Sequence, residues 1–120
     1  MKVKFDVPGG LVIMKVIYIA GPYRADTEHG VVENIRRAEE VAIKVWQAGH
    51  VALCPHKNTA LFGGLCPDEA WLKGDLELLR RCDGIIMVQG WEKSSGSVAE
   101  VGFADRHNIP VYYEVEDIPT

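Results

Sequence analysis

Apolar residues in this chain switch their spacing along its length, from unbroken β-branched runs to steps of three and four and back again. Val16 to Ala20 is a short apolar run ahead of a Gly21-Pro22 turn, which predicts a strand. Val31, Ile35, Ala38, Ala42 and Val45 then recur as one face of a long helix, and Gly49 stands where a C′ glycine would end it. Val51 to Cys54 predicts a second strand, Pro55 to Pro67 a turn-rich stretch, and Asp68 to about Cys82 a second helix. Gly84 to Val88 reads as a buried third strand, Ser97 to about His107 as a third helix, and Val111 to Tyr113 as a fourth strand. Strands joined by helices predict one three-layer α/β domain, a parallel sheet of four to five strands with helices on both faces.

The first thirteen residues stand apart, because Met14-Lys15-Val16 repeats the opening Met1-Lys2-Val3 across a Pro8-Gly9-Gly10 turn. They are expected to be an N-terminal extension, either an upstream start or an extra edge strand, with the domain proper over 14–120. At 120 residues the chain is expected to hold a single domain. With 48% hydrophobic and 25% charged residues the composition is that of an ordinary globule, and no apolar run nears the roughly 18 to 20 residues that span a membrane. The expectation is a cytoplasmic protein with no membrane partner. A net charge of −4 without a basic stripe argues against a nucleic-acid polymer. Cys54, Cys66 and Cys82 are odd in number and lack a C-x-x-C pair, so neither a disulfide framework nor a metal is expected; Cys54, His56 and Cys66 match no common zinc spacing.

In parallel sheets ligands gather beyond the carboxyl ends of the strands, and three polar loops fall on that edge. Gly21-Pro22-Tyr23-Arg24 follows the first strand, Pro55-His56-Lys57-Asn58-Thr59 the second, and Gly90 to Ser97 the third. Any one of them could be a connecting loop, but together they offer anion donors around one crevice. The Ser94-Ser95-Gly96-Ser97 turn presents backbone N–H groups and hydroxyls, and Glu100 adds a carboxylate in the first helical turn. Ser97-Val98-Ala99-Glu100 also fits an S-x-x-E capping box, in which both side chains serve the backbone alone.

Asp75 is out of place on the middle helix. At 100° per residue, Trp71, Leu72, Leu76, Leu78, Leu79 and Cys82 cover one arc, and Asp75 falls inside it, opposite Lys73, Glu77, Arg80 and Arg81. A carboxylate there has to be bonded, neutralised or facing a cavity; it could anchor a loop, bond Tyr18 or take part in catalysis. Two carboxylates from different elements in unlike environments are the usual equipment for cleaving a glycosidic bond.

Tyr18-Ile19-Ala20-Gly21-Pro22, Asp75-Leu76-Glu77-Leu78-Leu79 running into Cys82-Asp83-Gly84-Ile85-Ile86, and Ser94-Ser95-Gly96-Ser97-Val98-Ala99-Glu100 together resemble the nucleoside 2-deoxyribosyltransferase superfamily. Its small members, which include 2′-deoxynucleoside 5′-monophosphate N-glycosidases, are the nearest in pattern, over about Met14 to Tyr113. The resemblance implies a Rossmann-like (flavodoxin-like) sheet, a homodimer or higher oligomer, and N-glycosidic cleavage through a covalent glycosyl ester. By position Glu100 matches the nucleophile, Asp75 the acid that assists departure of the base, and Tyr18 the hydroxyl that orients the nucleophile. Ser94 and Gly96 match the turn that holds a 5′-phosphate, Arg24 matches an arginine near the ligand in the monophosphate branch, and His56 has a histidine counterpart in some relatives. The sequence departs from many of them at Val98, where they carry glycine.

A small-molecule nucleoside or nucleotide is thus the expected partner, and no cofactor is required. A carboxylate can capture oxocarbenium-like charge at C1′ while a proton donor eases the base away. The rival is a nucleotide-binding regulatory module without chemistry, which needs only the Gly21–Arg24 and Ser94–Ser97 turns and leaves Glu100 as a cap. Neither a dinucleotide nor a P-loop fingerprint follows any strand.

Overall fold

The structure is a computed structural model and describes residues 2–4 and 11–120. The Pro8-Gly9-Gly10 turn lies outside the described residues. Four strands form an all-parallel sheet: β3 (Val16–Ala20), β4 (Val51–Leu53), β5 (Gly84–Met87) and β6 (Val111–Tyr112), in the order β4-β3-β5-β6. Helices α1 (Glu28–Gln47), α3 (Asp68–Arg80) and α4 (Ser95–Arg106) join them, and a one-turn helix, α2 (Pro55–Asn58), follows β4.

This order follows from handedness. The β3-to-β4 crossover steps one way along the sheet and the next two step back, so right-handed connections place α1 on one face and α3 with α4 on the other. Alternation along the strands supplies each face with its own core. Ile17 and Ile19 of β3 and Ile86 of β5 meet Ala38, Ala42 and Val45 of α1, with Val88 and the C-terminal Ile118. Tyr18, Ala20, Ile85 and Met87 turn the other way onto Leu79 of α3, Cys82, and Ala104 of α4.

The helix ends carry their own signals. Thr27 caps α1, its Oγ1 accepting from Gly30 N–H at 2.9 Å, and Gly49 leaves it with φ 91°. α2 was not expected within the turn-rich stretch; Pro55 starts it, since proline at the first helical position loses no bond. α4 begins at Ser95, two residues before the expected start, because Ser94 rather than Ser97 is its N-cap.

β1 (Lys2–Lys4) and β2 (Leu11–Ile13) pair antiparallel as a separate two-stranded sheet, so the extension does not add an edge strand to the main sheet. Two residues separate β2 from β3, and β3 is already flanked by β4 and β5. The arc drawn for α3 is also too wide at its start. Leu79 is buried, but Leu72 is 52% exposed, because the first turn of α3, like the 61–67 stretch ahead of it, is open to solvent.

Gly21, just beyond β3, is fixed by packing, since a Cβ there would stand 2.6 Å from Val88 Cβ. Gly21→Ala is therefore expected to lower stability by about 1 to 3 kcal/mol through overpacking, read as a lower urea midpoint at unchanged slope.

Candidate active site

The sheet reverses its direction of growth between β3 and β5, and the crevice outside their carboxyl ends is where such folds hold ligands. Tyr18 sits mid-strand on β3 with a fully buried side chain aimed at α4. Its hydroxyl donates to Glu100 Oε2, a contact between residues 82 apart in sequence. Burial, then the Glu100 and Asp75 charges, raise the Tyr18 phenol far above its ordinary range, so it stays a donor.

This bond decides between the two readings of Glu100. The capping box fails: Ser94 Oγ accepts from Ser97 N–H at 3.2 Å and from Ser97 Oγ–H at 3.1 Å, while Glu100 lies in the second turn, bonded to Tyr18. The sequence signal that could have found this cap is the serine three residues ahead of Ser97, just past the Gly90 turn. Glu100 is thus free of backbone duty.

Burial pushes the Glu100 carboxyl up to about 7; the Tyr18 hydrogen bond pulls it down and the Asp75 charge adds to the rise. Asp75, half-buried on α3, is pushed up to about 6 by burial and accepts no hydrogen bond among the described residues. The bond to Tyr18 considered for Asp75 is made by Glu100 instead. The Asp75 charge acts on both Tyr18 and Glu100, whereas the rise at Asp75 itself comes from burial alone.

At the start of α4, Ser97 is buried and the N–H groups of Ser95 and Gly96 have no acceptor among the described residues. A Cβ on Gly96 would meet only Ser94 Oγ, at 3.9 Å, so the space beside it is open. Gly21 and Gly96 therefore differ in kind: the protein itself fills the room around the first and not around the second.

The remaining residues hold loops together. His56 is buried, its Nε2–H donates to Pro22 O at 2.8 Å, and its ring packs edge-on against Tyr23, 5.4 Å between centroids. Burial lowers its pKa, so the ring is neutral. It props the Gly21–Arg24 loop. Arg24 is 77% exposed and pairs with Asp68 at 2.7 Å; no hydrogen bond or ion pair joins it to the Ser94–Ser97 turn among the described residues. Tyr23, whose hydroxyl accepts from Leu61 N–H at 3.5 Å, was missed from sequence because its role is purely tertiary.

A three-layer α/β domain with carboxylates at the switch point of a parallel sheet defines a class, and comparison with known proteins gives the family. Residues 15–113 match the model of Domain of unknown function (DUF4406). The chain belongs to this family, which falls in the nucleoside 2-deoxyribosyltransferase superfamily. Among solved structures it is similar to a 2-deoxyribosyltransferase from Bacillus psychrosaccharolyticus, with TM-score 0.57 and 23% identity over 80% of this chain and 69% of that one. It is also similar to a conserved protein from Enterococcus faecalis V583, with TM-score 0.65 and 21% identity over 82% of this chain and 62% of that one. At these identities the likeness is one of fold. None of the curated proteins matches this sequence. No helix among the described residues is long and apolar enough to cross a membrane.

The raised Glu100 carboxyl has a consequence for stability. Between its ordinary 4.5 and about 7 the folded chain keeps a proton that the unfolded chain has lost, so stability falls as pH rises through that window. Asp75 acts in the same sense between 3.8 and about 6. Glu100→Gln keeps the acceptor for Tyr18 and removes the charge. It is expected to raise stability at pH 8 by about 1 to 3 kcal/mol and to change little at pH 4, measured as the difference between the two melting profiles.

Proposed function

We propose that this protein cleaves the N-glycosidic bond of a nucleoside or nucleoside 5′-monophosphate through a glycosyl ester on Glu100. The observation that carries the reading is the Tyr18–Glu100 bond at the β3–β5 switch point, with Asp75 close enough to act on both. Tyr18 fixes one carboxylate oxygen, leaving the other to bond C1′ as the bond from C1′ to the base nitrogen breaks. The electron pair leaves with the base, and Asp75 supplies a proton to it. Water, or a second base, then attacks C1′, frees the Glu100 carboxylate and returns a proton to Asp75. The open space at Gly96 and the free N–H groups of Ser95 and Gly96 support a 5′-phosphate at the start of α4.

The reaction needs Glu100 ionised and Asp75 protonated, the less populated arrangement of a pair with values of about 7 and about 6. The pH profile of kcat/KM is therefore expected to be a narrow bell with limbs near those two values. A flat profile from pH 5 to 9 speaks against the pair.

Incubation with a panel of nucleosides and their monophosphates, read as free base by chromatography, tests the reaction itself. Glu100→Gln is expected to fold and to lose on the order of 10³-fold or more in turnover. Release of base by this variant at the wild-type rate removes the glycosyl ester from the account, and binding without release by the wild type points to a regulatory module.

Gly96→Ala separates phosphate recognition from folding. Alanine in this open first turn should leave stability unchanged or raise it by up to about 1 kcal/mol. The added methyl is expected to weaken monophosphate binding by about tenfold while leaving the nucleoside alone, in parallel titrations of the two ligands.

A further inference from the structure

The sheet has two outer edges, and they are unlike. β6 is two residues long and headed by Pro110, which has no N–H to offer. β4 reads Val51-Ala52-Leu53, without the charge or proline that guards an exposed edge. Val51 N–H donates to Lys15 O at 2.9 Å, so alternation turns the N–H and C=O of Ala52 outward. Beside that edge α1 leaves an apolar groove of about 410 Å³, floored by Ala42, Ile43, Trp46 and Ala52. Ile43 is 47% and Trp46 53% exposed, on a helix whose other face makes the core. Glu39 and Lys57 also line the groove, but they pair with each other and leave no charge for a small ion. An unguarded edge beside exposed apolar side chains suits the addition of another strand.

The same chain holds strands that lack such an edge. β1 and β2 form a sheet of their own, and Ile13 at the end of β2 is 46% exposed. A two-stranded sheet is marginal in water and gains from a third strand. Its own β4 is out of reach. Lys15 is fixed in the line of β3 by its bond from Val51 and by its N–H on His50 Nδ1 at 3.1 Å. From Lys15 back to Ile13 the backbone spans at most about 7 Å, whereas the position outside β4 lies two strand spacings, about 9.5 Å, from β3. β1 is paired with β2 residue for residue and shares that limit.

We propose that the β1–β2 hairpin of one copy of this chain adds to the β4 edge of a second copy and covers the groove between β4 and α1. The sequence of the hairpin suits this, since Val3 and the run Leu11-Val12-Ile13 are apolar. The contact is independent of the glycosidic reading, because the groove lies on the α1 face of the sheet and Tyr18 faces the other way, toward α3 and α4.

Hydrogen exchange of the Ala52 N–H in the full chain tests this across a wide range of protein concentration. Protection is expected to rise about tenfold or more as concentration increases. Val12→Pro removes an N–H that serves either β1 or the added edge, and Trp46→Glu places a charge in the groove. Each variant alone is expected to abolish the rise. An equal mixture of the two is expected to restore it, since the intact hairpin of the Trp46→Glu chain meets the intact groove of the Val12→Pro chain. Trp46 is half-exposed, and Ile43→Glu repeats the test should Trp46→Glu unfold. Protection that is the same at every concentration, whether that of a free amide or of a chain closed on itself, overturns the proposal. So does a rise that both variants leave intact, or a pair of folded variants that fail to complement each other.

Discussion

A phenol hydroxyl on a strand flanked by two others has few places to send its proton. Tyr18 lies between Leu53 of β4 and Ile85 of β5, with a side chain fully removed from water. Leaving its hydroxyl unpaired would cost about 1 to 3 kcal/mol, and Glu100 is the group that meets it. That bond sets the rotation of α4 against the sheet, since a shift of one residue turns the carboxylate by 100°. The placing of the Ser94 cap and of Gly96, with open space beside it, follows from the same rotation.

The two faces of the sheet are unequal for this reason. On the α1 side, Ile17, Ile19, Ile86 and Val88 make an apolar core with no buried carboxyl among the described residues. The α3 and α4 side holds Tyr18, Glu100 and Asp75, and both carboxyls are raised by burial. The cost is local, and it falls on the face of the sheet that α3 and α4 cover. Folds carry such costs where a charge has work to do, and the apolar face opposite supplies the stability that tolerates them.

Much of this was legible in the sequence because it is periodic. The four strands, the core face of α1 and its terminal Gly49 follow from spacing alone. Asp75 was visible as a carboxylate in an apolar arc, and it is half-buried. What the sequence hid depends on partners distant along the chain. Ser97-x-x-Glu100 satisfies the rule for a cap as well as a true cap does, and only Tyr18, 82 residues away, draws Glu100 off. Leu72 follows the helical period of Leu79, yet period says nothing of where along its length a helix leaves the sheet. His56 was read for its chemistry and spends its Nε2–H on Pro22, because a neutral buried imidazole serves a carbonyl as readily as a ligand.

The layout of α4 also bears on what length of ligand the crevice suits. Gly96 and Glu100 are four residues apart, so they share a helix face about 6 Å apart along the axis. An anion held by the Ser95 and Gly96 N–H groups and a carbon approached by Glu100 are thus separated by a span of the order of that between the 5′-phosphate and the anomeric carbon of one pentose. In the proposed reaction phosphate and sugar would then lie along α4, with α3 packed beside it. With the Tyr18 bond fixing α4 against β3, the reacting carbon would stand where the two helix faces converge.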